Sequence, residues 1–191
     1  MLSSLKSGAF IASPEEVDWF MVLIRDSAAH IQKCVAGHAE DPLVLVQRMM
    51  LDPAASRAVP AEPPGLAEQI SLTSTLLVAI AAARLLLQLH PDSGGLHLTP
   101  SGQVAHPFSI RSGKDGLIWA ETFAAVDPRD SRIVDGNVAR IAGRLECHRY
   151  GIFMSPLFPV LERRPEFEHS GVQVWSVASA NAGRASSAIL M

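Results

Sequence analysis

The sequence predicts an α+β domain: a mixed β-sheet with helices packed on it and an N-terminal helical segment. Three observations lead there. Apolar residues recur at helical spacing through residues 13–51 and 66–89. The period switches to strand-like alternation after the breaker His90-Pro91-Asp92-Ser93-Gly94-Gly95. A helical stretch then separates the best strand from a later one, which implies a crossover within a mixed sheet, expected right-handed.

The first helix begins at Ser13-Pro14-Glu15-Glu16: an N-cap serine, a proline at the first helical position and a glutamate at the capping-box position. Val17, Phe20, Ile24, Ala28, Ile31 and Val35 follow at helical spacing, and Gly37 offers the stop. A shorter helix starts at Asp41-Pro42, places Leu43, Val46 and Met50 on one face, and ends at Asp52-Pro53. Residues 52–65 have no apolar period and read as a loop. The third helix, Leu66 to Leu89, is apolar nearly all round, so it is expected to be a core helix lying on the sheet. Ser71, Thr73, Ser74, Thr75 and Arg84 interrupt it, which argues against a membrane span.

Leu96–Thr99 reads as a short strand, Pro100-Ser101-Gly102 as a turn, and Val104–Arg111 as a second strand. Leu117 to Val126 is the strongest strand. Leu117, Trp119, Glu121, Phe123 and Ala125 point to one side, with Ile118, Ala120, Thr122, Ala124 and Val126 on the other. A helix over 131–145 follows, with Ile133, Val134, Val138, Ile141 and Ala142 on its apolar face. Then come a strand over Cys147–Met154, a helical turn over Val160–Arg164 and a last strand over Val172–Val177. Residues 1–191 are expected to form a single domain: a helical part over 13–51, the 52–65 loop, a core over 66–178 and a loose tail over 179–191.

Composition narrows the function classes. A chain of 191 residues buries roughly 70% of its unfolded surface, enough for a core without disulfides or metals. Cys34 and Cys147 are far apart and in no ligand pattern, so a reducing, cytoplasmic setting is expected. The N-terminal sixteen residues lack the basic and apolar runs of a signal peptide. Net charge is −3, so a broad basic footprint for nucleic acid is absent, while a local patch remains open. Charged residues are 18% of the chain, below the roughly 25% of ordinary soluble domains. That deficit points to a homodimer or a protein partner covering apolar helices.

Glu121 is the unusual acid, between Trp119 and Phe123 on one strand face. A carboxylate there is either paired, turned to solvent, or a metal-binding or catalytic group in a cleft. Arg111, Lys114, Arg129 and Arg132 lie near strand ends and loops, where phosphate contacts are made; a solvated, salt-bridged surface is the plainer alternative. The seven histidines form no HxH, HExxH or HxxxH pair, and there is no GxSxG or phosphate-cradling GxxxxGK[ST]. Trp19, Trp119 and Trp175 are expected to fill core positions.

The segment HPFSIRSGKDGLIWAETFAAVDPRDSRIVDGNVARIAGRLECHRYGIFMSP, about a quarter of the chain, resembles the common core of the PD-(D/E)xK, or restriction-endonuclease-like, superfamily. The resemblance implies an acid on the first strand of a hairpin, an acid-x-Lys triplet on the second, and Mg²⁺ held by the two acids. Glu121 takes the triplet's acid position. Phe123 stands where the family has lysine, and Ser109 or a neighbour stands at the first acid. The expectation is therefore a catalytically degenerate, nuclease-like domain that binds nucleic acid or a nucleoprotein partner, with no cofactor, Mg²⁺ entering only if the site is intact. The alternatives are a non-enzymatic interaction or scaffold subunit and an active Mg²⁺-dependent nuclease.

Overall fold

The computed structural model describes residues 8–37, 66–103, 106–125, 127–129 and 131–178. The expected second helix at 41–52, the 52–65 loop and the 179–191 tail lie outside these. The described residues form an α+β fold in which a seven-stranded mixed sheet carries helices on both faces.

In chain order the elements are β1 (Ala9–Ile11), α1 (Pro14–Ala36), α2 (Leu66–Leu89), β2 (Leu96–Gln103), β3 (His106–Ser112) and β4 (Ile118–Ala124). They continue as α3 (Ser131–Ala142), β5 (His148–Met154), β6 (Glu162–Arg163), a 3₁₀ turn (Pro165–Phe167) and β7 (Gln173–Ser176). The sheet order is β1-β2-β3-β4-β5-β7-β6. Strands β1 to β4 run antiparallel, β4, β5 and β7 run parallel, and β6 closes the far edge antiparallel. The β4–α3–β5 crossover lies where the change of period predicts it.

Helix α1 starts as its sequence indicates. Ser13 is extended and Pro14 occupies the first turn. The Glu16 carboxylate reaches back to accept from the Ala12 amide at 2.7 Å, which satisfies a donor at the helix entrance. Val17 and Ile24 are buried against α2, and an Arg84–Asp18 ion pair ties the two helices at their rim. Helix α2 is sandwiched between α1 and the sheet, so Leu76, Ile80, Ala83 and Leu86 are all solvent-free. It is long and apolar enough to cross a membrane, and about half of its most apolar stretch is buried inside the fold.

The face of the sheet under α2, here the inner face, carries Ile11, Leu96, Leu98, Phe108, Ile110, Ile118, Ala120, Tyr150 and Ile152 in one apolar cluster. The outer face carries a smaller cluster under α3: Phe123, Val134, Val138, Ile141, Phe153, Val172 and Val174, with Phe158 and Phe167 at its margin. The strand period of two assigns every residue of β4 to the face that the sequence indicates.

Four local expectations are corrected. Strand β2 runs on through Pro100-Ser101-Gly102, which reads as a turn in sequence, and its ladder with β3 slips between Pro100 and Gln103. Such an irregularity is how a strand accommodates a proline that lacks an N–H donor. Residues 162–163 form edge strand β6, where a helical turn was expected, because Arg164 and Val174 join by a backbone hydrogen bond. Strand β1 was not anticipated; three residues carry no measurable alternation. Trp19 is 49% exposed on the outward side of α1, outside the core.

Candidate functional site

The site is best built from one cross-strand row on the outer face. The register aligns Phe10 with His97, His97 with Arg111, Arg111 with Trp119, and Trp119 with Arg149. These residues come from five strands and five distant points of the sequence. Helix α3 and the segment around Phe158 and Phe167 cover the β4–β5–β7 end of this face. Over β1, β2 and β3 the outer-face side chains Phe10, His97, Thr99 and Arg111 are exposed, and Ser109 is half-buried.

Glu121 lies one step further along β4, opposite Ser109 on β3 and Gly151 on β5. It is 4% exposed. Its Oε2 accepts from Arg140 Nε at 2.8 Å and from Arg140 Nη2, and its Oε1 accepts from Trp119 Nε1 at 3.3 Å. Arg140 Nη2 also donates to Asn137 Oδ1 at 2.8 Å, and Asn137 Nδ2 donates to the Ile133 carbonyl at 2.6 Å. The buried carboxylate and the buried amide are thus satisfied by residues one helical turn apart on α3.

This network orients the row. The Glu121 carboxylate anchors the Trp119 indole from below. Arg149 donates from Nη1 to the carbonyls of Ala142 (2.9 Å) and Arg144 (3.4 Å), satisfying acceptors at the α3 C-terminus. The turn after α3 then sets the Arg144 guanidinium 3.7 Å above the Trp119 ring, a cation–π contact. At the other end, Phe10 packs on the His97 ring with centroids 4.7 Å apart. It fits because residue 95 is glycine: a Cβ there would lie 2.5 Å from the Phe10 ring.

The sequence-predicted residues divide sharply. Glu121 is internal and ion-paired, and Phe123 is buried in the α3 cluster. Arg111 is exposed and has no ion-pair partner among the described residues. Lys114 lies in the β3–β4 turn, 3.8 Å from Asp92 in an exposed pair. Arg129 is clamped by Asp127 through Nε–Oδ1 (2.9 Å) and Nη2–Oδ2 (2.8 Å). Those hydrogen bonds push the Asp127 carboxyl down and the Arg129 guanidinium up from their ordinary values. Arg132 starts α3, and its side chain is outside the described residues. Only Arg111 of these four lies in the row. Phe10, His97, Trp119 and Arg144 join it there, and no spacing in the sequence links them.

Glu121 faces Ser109 where a two-acid metal site needs a second carboxylate. Among the described residues no group of three or more His, Cys, Asp or Glu side chains is placed to hold a metal ion. A separate polar cluster sits at the inner-face rim. His90 and Tyr150 are hydrogen-bonded at 2.6 Å (Nε2 to OH), and the His90 and His148 rings are 4.4 Å apart. Burial and the neighbouring His148 push the His90 imidazole below its ordinary value, against the opposing pull of Asp92. Burial raises the Tyr150 phenol.

No protein-family model, no curated protein and no solved structure matches this chain.

Proposed function

We propose that this chain is a nuclease-like domain that binds nucleic acid without cutting it, using the open half of the outer sheet face. The observation that carries the reading is Arg111: an exposed guanidinium with no ion-pair partner among the described residues, flanked in register by His97 and Trp119. Phosphate oxygens are the natural ligands of such a group. The antiparallel meander followed by a parallel crossover strand supports kinship with the PD-(D/E)xK core. The Glu121–Arg140 pair supports loss of the reaction, because the carboxylate that would bind Mg²⁺ is already engaged. A cytoplasmic setting fits two cysteines that are both thiols.

The test is fluorescence anisotropy with labelled oligonucleotides at low and at physiological salt, with a parallel cleavage assay in Mg²⁺. Salt-sensitive binding without cleavage is expected. Absence of binding at low salt contradicts the reading, and Mg²⁺-dependent cleavage contradicts its non-catalytic half.

A second reading, an interaction subunit, is favoured by a different observation. Trp19 and Val22 are 49% and 52% exposed on the outward side of α1. Helix α2, the other apolar helix, is covered within its own chain. Sedimentation equilibrium separates the readings: a dimer that Trp19→Glu dissociates supports the interaction subunit.

A further inference from the structure

We propose that the ligand of the open face is single-stranded nucleic acid, with bases stacked on Phe10 and on the Arg144–Trp119 pair and a phosphate held at Arg111. The inference rests on the nucleic-acid reading above and names its substrate class.

The geometry points to single strands for three reasons. First, the two flat groups stand in one row, on β1 and β4, three strand spacings or about 14 Å apart. Open four-stranded sheets that bind single-stranded RNA stack two or three bases on aromatic side chains of one face. Second, both stacking elements are presented toward solvent. Phe10 is 48% exposed, and the exposed Arg144 side chain sets its guanidinium carbon 3.7 Å over an indole. A duplex hides its base faces inside the stack, so these groups have nothing to bind there. Third, both are held in place before any ligand arrives. Gly95 makes room beneath Phe10, and the Glu121 and Arg149 hydrogen bonds fix the indole and the turn carrying Arg144. Preorganisation of this kind reduces the ordering that binding requires. Charge is complementary: Arg111 lies in the row, Arg144 sits over its Trp119, and Glu121, next on the same face of β4, is buried and paired.

The probes are a twelve-residue oligothymidine, an abasic strand of the same length, and a duplex of the same length. Oligothymidine is expected to bind at least about tenfold tighter than the abasic strand, since each base–aromatic stack contributes on the order of tenfold. Phe10→Ala is expected to weaken oligothymidine binding by about that factor while leaving the abasic strand unchanged, and Arg144→Ala to weaken oligothymidine by a larger factor than the abasic strand. Phe10→Leu keeps an apolar group over Gly95 and is expected to show the same loss, which separates lost stacking from lost packing. Trp19→Ala, on the far side of the molecule, is expected to behave as wild type. Equal affinity for the abasic strand, or a duplex bound as tightly as the single strand, overturns the stacking inference and leaves the electrostatic reading standing. No salt-dependent binding to any of the three removes both.

Discussion

The two faces of one sheet have been used in different ways. On the inner face the strands present mainly apolar side chains, with Tyr150 and His148 at the rim, and α2 lies across it with α1 behind. The outer face is divided. Its β4–β5–β7 half is sealed by α3, and the sealing includes a buried carboxylate paired with a partly exposed arginine, an amide and an indole N–H. Its β1–β3 half presents Phe10, His97 and Arg111 to solvent. The inner face is built for stability. The outer face carries polar groups in its interior, which hold a particular arrangement of side chains rather than add stability.

The sharpest way to test that contrast is to damage each face and compare. Ile80→Ala, at a solvent-free position of α2, is expected to cost about 2–5 kcal/mol of stability, measured by denaturant unfolding. Protein that remains folded is expected to keep its nucleic-acid affinity. On the outer face, Arg140→Ala strands a buried carboxylate, which costs about 3 kcal/mol when no partner replaces the guanidinium. Here affinity is expected to fall as well, because Glu121 no longer holds the indole. The double variant Glu121→Leu/Arg140→Met sharpens the point: removal of both charges is expected to recover most of that stability but not the affinity. Recovery of both would make the ion pair a packing device alone.

Arg111→Ala probes the open half. Stability is expected to change by no more than about 0.5 kcal/mol, since the side chain is exposed and has no ion-pair partner among the described residues. The slope of log affinity against log salt for a single strand is expected to fall by about 0.7. An unchanged slope would falsify a phosphate contact at this residue.

The smallest expected effect belongs to the inner-face rim. His90 has a folded pKa below its unfolded value, so the unfolded chain binds the proton more readily. Its contribution is fully present above the ordinary imidazole value near 6.5 and is lost as pH falls through the lowered folded value. Melting temperatures from pH 7.5 to 5 are expected to decline, and His90→Gln is expected to flatten part of that decline. Glu168, whose carboxyl is held low chiefly by Arg163, acts in a separate window below its ordinary value of 4.5.

Much of the architecture was legible in the sequence because periodicity is a property of neighbours. The Ser13-Pro14 start, the all-apolar α2, the alternation of β4 and the crossover helix all follow from residues within a few positions of one another. Pro100 misled because a local turn signal was overridden by pairing with β3. Trp19 misled because size and hydrophobicity do not say which side of a helix faces a neighbour. The site was legible only in its parts. Glu121 stood out as a carboxylate on an apolar strand, and pairing with an arginine was among its open readings. That the arginine is Arg140, nineteen residues away, depends on how α3 returns over the sheet. The row from Phe10 to Arg149 was invisible, since its members meet only through strand register. Arg129 and Lys114 looked like phosphate ligands by position; Asp127, two residues away, engages the first, and Asp92, from the segment between α2 and β2, pairs with the second.

The most direct test uses the three tryptophans as reporters of three surfaces. Trp119 stands in the outer row at the border of the open half, Trp175 packs on the inner cluster, and Trp19 projects from α1. Their indole N–H resonances can be followed in one nuclear magnetic resonance titration with oligothymidine. The account predicts a saturable shift of the Trp119 indole, with Trp175 and Trp19 nearly still. Movement of Trp19 with a silent Trp119 would contradict it and place the binding surface on α1.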